Sequence, residues 1–146
     1  MGEDYVEDIL TRYKTVAIVG LSRDSSKDSY RVAEYLKKHG FNIIPVNPTA
    51  DEILGEKCYK SLLDMPAEVQ KTLEIVDIFR PSPEVFPIVE QAIQLKKSYG
   101  VPYVVWMQLG IVNEQAADIA KKASLKIVMD KCMMQQHRRL FGDKDG

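Results

Sequence analysis

Cysteine is scarce in this chain of 146 residues: only Cys58 and Cys132 occur, far apart in sequence. Two isolated thiols make neither a disulfide framework nor a CxxC metal site, and they fit a reducing, cytoplasmic home. Excess charge of one sign is also missing. The net charge is −1, so no global field draws in nucleic acid or anionic lipid. Arg138 and Arg139 form too small a basic patch to recognise a nucleic acid. No apolar run approaches the length of a membrane span. The N-terminal MGEDYVEDILTRY lacks a basic n-region and does not read as a signal peptide. Val6 stands where a myristoylation signal needs Ser or Thr. His39 and His137 are too isolated for metal ligation. His39 falls on the core-facing side of an expected helix, and His137 sits in the solvated-looking run QQHRRL. Ser-His-Asp order, paired carboxylates, HExxH and Walker A patterns do not occur, so no catalytic residue is assigned.

What is present alternates. Short β-rich runs stand at Val16–Val19, Asn42–Val46, Ile75–Phe79, Tyr103–Trp106 and Lys126–Met129. Four are largely apolar, as strands covered on both faces should be. Helical patterns separate and flank them: Glu3–Tyr13, Tyr30–His39, Glu84–Ser98, Asn113–Ala123 and Cys132–Phe141. Asp28 or Ser29 would cap the second of these and Gly40 would stop it. Pro83 and Pro87 both suit a first helical turn and leave the start of the third open. The length fits one domain over 1–146, with a flexible tail at 143–146. Strand–helix alternation predicts an α/β, Rossmann-like fold: a five-stranded, mainly parallel sheet in the order 3-2-1-4-5, with helices on both faces.

In such sheets ligands bind beyond the carboxyl ends of the strands, where the strand order reverses. After the first strand comes Gly20-Leu21-Ser22, a tight turn with a hydroxyl, leading to a helix whose N-terminus favours an anion. Arg23, Lys27 and Arg31 add cationic donors. Phosphate binding follows, although Gly20 alone would only mark a turn. The second strand ends in Val46-Asn47-Pro48-Thr49. An NAD site usually places Asp or Glu there for the ribose hydroxyl, and more than one glycine in the loop. Both are missing, which leaves coenzyme A, NADP or another phosphorylated nucleotide.

Together the runs VAIVGLS, SYRVAEYL, IIPVNP, ILGEKCYKSLLDMP, DIFRP, VVWMQLGIVNEQAADIAKKA and IVMDKCMMQQHRRL resemble the small CoA-binding protein family. That family is similar to the Rossmann-like CoA-binding domain of the succinyl-CoA synthetase α-subunit. The likeness runs from about Tyr13 to Leu140. It implies coenzyme A as the ligand, with Gly20, Leu21 and Ser22 at the pyrophosphate, helped by the helix start at Ser29 and Tyr30. Asn47 and Pro48 would flank the adenosine. Arg80 and Pro81 would border the nucleotide, and Gln108, Leu109 and Gly110 would face the pantetheine.

Cys132 follows Asp130-Lys131 on the same edge, near a helix N-terminus, a setting that lowers a thiol pKa. It would then form a mixed disulfide with the CoA thiol; the plainer reading is an inert, half-buried side chain. Asp130 would cap the last helix. Met129, Met133 and Met134 read as packing, and Trp106 as core. The synthetases' phosphorylatable histidine belongs to another domain, so His137 inherits no role. The expectation is a non-catalytic module that binds CoA or acyl-CoA as a carrier, sensor or regulator, alone, as a homo-oligomer or with a protein partner. The alternatives are a subunit of a CoA- or NADP-using enzyme, and a redox protein acting through Cys132.

Overall fold

The computed structural model describes residues 2–142; the tail expected at 143–146 lies outside them. Six helices are observed: α1 Gly2–Arg12, α2 Asp28–Lys38, α3 Ala67–Gln70, α4 Val85–Tyr99, α5 Glu114–Lys122 and α6 Met133–Phe141. Seven strands alternate with them: β1 Thr15–Val19, β2 Asn42–Val46, β3 Glu52–Ile53, β4 Glu56–Lys57, β5 Ile75–Ile78, β6 Val104–Met107 and β7 Lys126–Val128. Five strands form one sheet in the order β2-β1-β5-β6-β7, parallel throughout. The α/β architecture is therefore the expected one. No described helix is long and apolar enough to cross a membrane.

The strand order differs in one place. Counting only the five sheet strands, it is 2-1-3-4-5 and not 3-2-1-4-5. The chain after β2 makes the antiparallel hairpin β3–β4, then touches β2 through an isolated parallel bridge between Val46 and Tyr59. That bridge sits where a third strand would have lain. Pro45 weakens β2 as a partner on that side, because it has no N–H to donate. Its carbonyl accepts from Tyr59 N (3.1 Å), and Asn47 N donates to Tyr59 O (2.9 Å). The chain then returns through α3 to the other side of β1, where β5 pairs from Val16↔Ile75 to Val19↔Ile78.

Strand periodicity divides the core in two. Val16, Ile18, Ile75, Val104 and Trp106 pack under α1, α2 and α6. Ala17, Val19, Val76, Ile78, Val105 and Met107 pack under α4 and α5. All of these are buried, and each fully buried aliphatic side chain contributes about 1.5–3 kcal/mol. Asp77 is the exception: the strand pairs it with Ile18 and Trp106, and neither of its oxygens has a hydrogen-bond partner.

Local chemistry sets the helix boundaries. Pro83 lies in a short 3-10 turn, Ser82–Glu84, and Pro87 in the first turn of α4, so the two prolines occupy successive elements. Neither site needs the missing N–H. Asn113 caps α5, its side chain accepting from Ala116 N. The start of α2 differs from expectation. Lys27 is the N-cap, with no side-chain capping bond, and Asp28 and Ser29 lie inside the helix.

Candidate functional site

The carboxyl edge of the sheet begins with Gly20. Its φ is +90°, and a Cβ there would lie 2.8 Å from the Phe79 carbonyl oxygen. Its N–H donates to Val46 O at 2.9 Å. The glycine is thus demanded by contact between the ends of β1, β2 and β5, at the point where the strand order reverses. Leu21 beyond it is fully buried, so only its backbone faces the edge.

The following loop is held by its own short polar side chains. Ser22 N donates to Ser29 Oγ at 2.9 Å, and Ser22 Oγ accepts from Asp24 N at 3.0 Å. Asp24 Oδ1 accepts from both the N–H and the hydroxyl of Ser26. The Ser26 N–H, and next its hydroxyl, hold the Asp24 carboxyl below the usual range. Asn47 ties the loop to β2: Nδ2 donates to Leu21 O at 2.9 Å, while Oδ1 accepts from Thr49 N and Oγ1. Arg23, Lys27 and Pro48 are exposed, Tyr30 half-buried. Arg31 pairs with Asp28 at 2.8 Å. Beyond β5, Arg80 reaches Glu84 at 2.7 Å, and Pro81 is exposed.

The other end of the edge is open. A groove of about 670 Å³ lies between α2 and α6. Its inner end is formed by Phe79, Gln108, Leu109, Ile111 and Cys132, and its walls include Tyr35, His39 and Arg138. Gln108 is 3% exposed, and its Oε1 accepts from Met133 N, in the first turn of α6, at 3.0 Å. The loops after β6 and β7 are bound together here. Gly110 N donates to Asp130 Oδ1 at 2.7 Å, and Trp106 Nε1 donates to Lys131 O at 2.8 Å. Asp130 therefore fastens the neighbouring loop and does not cap α6; its φ of 62° turns the chain away from the helix. Cys132 takes the N-cap position and makes no capping bond.

The structure thus divides the expected residues. Gly20, Leu21, Ser22, Arg23, Lys27, Ser29, Tyr30, Asn47 and Pro48 gather beyond β1 and β2, with Arg80 and Pro81 after β5. Of the expected residues, Arg31, Gln108, Leu109 and Cys132 line the groove. His137 is corrected: it is buried, and its Nδ1 lies 2.8 Å from Tyr35 Oη. The run QQHRRL conceals this inward position among polar neighbours. Its ring meets those of His39, Phe41 and Phe141 edge-on or tilted. Tyr35 and His39 stack with centroids 3.9 Å apart. Their spacing of four on α2 places them together, but only the arrival of α6 makes that face a groove wall.

The sequence profile of the CoA binding domain matches residues 14–138. The uncharacterized protein YneT of Bacillus subtilis (strain 168) is 35% identical over 132 residues, covering 90% of this chain and 91% of that one. The ADP-forming acetate–CoA ligase of Methanocaldococcus jannaschii is 30% identical over 139 residues, 90% of this chain but 19% of the ligase. Among solved structures, a hypothetical protein from Pyrococcus horikoshii OT3 superposes with a TM-score of 0.87 at 40% identity, covering 97% of this chain and 94% of the other.

Proposed function

The chain belongs to the CoA binding domain family, and from this we propose that it binds coenzyme A or an acyl-CoA along the carboxyl edge of its sheet. The observation that carries the reading is the pairing of two features on one edge. One is the α2 N-terminus, left without a side-chain cap; the other is the groove beyond β5 and β6. Orphan N–H groups and the helix dipole suit a pyrophosphate, with Gly20, Leu21 and Ser22 at the turn, Ser29 and Tyr30 at the helix start, and Arg23 and Lys27 supplying charge. Asn47 and Pro48 flank the adenosine, and Arg80 and Pro81 border it. Gln108, Leu109 and Gly110 take the pantetheine, whose apolar stem suits Phe79, Leu109 and Ile111 and whose amides suit the polar groups of the groove wall. Cys132 stands at the thiol end.

In this reading the protein is a binding module, a carrier, sensor or regulator of CoA. A second reading is a subunit of a CoA-using enzyme. It is supported by the chain spanning 19% of the ligase it matches, and by Leu109 and Val112, which are 59% and 41% exposed beside the groove. Such side chains suit contact with a protein partner. Calorimetry with CoA, dephospho-CoA, NADP and NAD tests the ligand. CoA should bind more tightly than NAD, because Val46-Asn47-Pro48 offers no acid to a ribose hydroxyl; equal or tighter NAD binding would sink the proposal. Acyl-CoA turnover by the protein with ATP or GTP would favour the enzyme reading.

A further inference from the structure

Gln108 is more than nine-tenths buried, yet half of its amide is unused. A backbone N–H must meet an oxygen, so the bond from Met133 N assigns Oε1 and turns Nε2 the other way. Among the described residues Nε2 meets no acceptor. The sealed side-chain atoms without partners are the two Asp77 oxygens alone, so Nε2 keeps access to the groove that Gln108 lines. A donor that faces the groove with no protein acceptor suits a ligand oxygen. The surrounding Phe79, Leu109, Ile111 and Met134 are apolar, which favours a neutral carbonyl over a charged group.

Cys132 lines the same end of the groove. It precedes Met133, whose N–H donates to Gln108 Oε1, so the chain that carries the thiol is tied to the amide one residue further on. It occupies the N-cap of α6 without a side-chain capping bond. Cys58 is a built-in contrast. Its Sγ faces Asn47 O and Tyr59 O, burial pushes its thiol up, and it does not line the groove.

We propose that Cys132 accepts an acyl group from a bound acyl-CoA by thioester exchange, with the Gln108 amide holding the thioester carbonyl oxygen. The Cys132 sulfur attacks the carbonyl carbon, and a new C–S bond forms as the C–S bond to CoA breaks. Negative charge passes through the carbonyl oxygen, opposite Nε2–H. The proton that leaves Cys132 ends on the CoA sulfur, so one thioester and one thiol become another thioester and thiol. No oxidant or nucleotide is consumed. The inference rests on the CoA-binding reading and makes the module an acyl carrier.

The test is intact-mass spectrometry of the whole chain incubated with acetyl-CoA under a phosphine reductant and quenched in acid, beside calorimetry of the same sample. One acetyl group should be added, be released by neutral hydroxylamine, and map to Cys132. It should be lost in Cys132→Ser, whose fold is checked by far-UV circular dichroism and thermal unfolding. Gln108→Glu keeps an acceptor for Met133 N but removes the donor, and should slow labelling at saturating acetyl-CoA about 100-fold. Binding without a hydroxylamine-labile group on Cys132 would overturn the acyl transfer and leave the ligand proposal standing. A label on Cys58, or equal rates in wild type and Gln108→Glu, would overturn the assigned geometry. Absence of acetyl-CoA binding would overturn both proposals at once.

Discussion

The two ends of the carboxyl edge solve opposite problems. Beyond β1 and β2 the chain closes on itself. Ser22, Asp24, Ser29 and Asn47 all spend side-chain hydrogen bonds on nearby backbone. Beyond β5 and β6 a groove stays open, and a buried amide keeps a spare donor. A phosphate site gains from rigidity, because donors already in place lose little entropy on binding. A site for a long flexible arm gains from room and from a few well-placed polar groups. The difference between the halves therefore matches the two chemical halves of the proposed ligand.

The largest expected effect comes from Asp77 on β5, between the two halves. Burial raises its pKa well above the ordinary carboxylate value. Below the unfolded value both states hold the proton, and it contributes no pH dependence. Above that value the unfolded chain ionises while the folded one stays neutral, so stability falls as pH rises towards the folded value. The slope is at most about 1.4 kcal/mol per pH unit. Urea unfolding across pH should show this decline, and Asp77→Asn should flatten it. An unchanged profile in the variant would mean that Asp77 is not held neutral. Next comes Gly20→Ala, which forces a positive φ and a contact with Phe79 O. It should cost about 2–3 kcal/mol by the same measurement. A loss below about 0.5 kcal/mol would contradict the rigidity ascribed to this half.

Ser22→Asp sharpens the comparison on the binding side. A like charge beside the pyrophosphate should weaken CoA by about 1–2 kcal/mol in calorimetry. The same affinity in a folded variant would move the phosphate away from this loop. The smallest effect is expected at Leu109, exposed on the open half. Leu109→Ala should leave thermal stability within about 0.5 kcal/mol. Any larger loss would show Leu109 to be part of the core and not of the rim.

Much of the site could be read in advance because strand ends are punctuated locally. Gly20, Asn47, Arg80 and Gln108 each follow an apolar run, and the carboxyl-edge rule selects them. The groove walls were not legible. Tyr35 and His39 lie in one pattern and Arg138 in another, about a hundred residues away, and nothing local joins them. His137 was misread for the same reason. Met133 and His137 are both buried, four apart on α6, but the polar residues around His137 hide that spacing, and its burial depends on Tyr35 and Phe41 arriving from other elements. The N-cap of α2 was misread because Ser29, a good capping residue, is instead engaged by the Ser22 N–H.

By itself the sequence determined the alternation of strands and helices, the apolar faces that make a parallel sheet, and the turn-forming residues at each strand end. These follow from periodicity and backbone preference, which act over a few residues. Only the tertiary structure decided that β5 pairs with β1 and leaves Tyr59 to bridge β2. Only it placed Asp130 on Gly110 and Gln108 on Met133. Those choices depend on which distant elements satisfy one another's hydrogen bonds and buried surface, and that information belongs to no single segment.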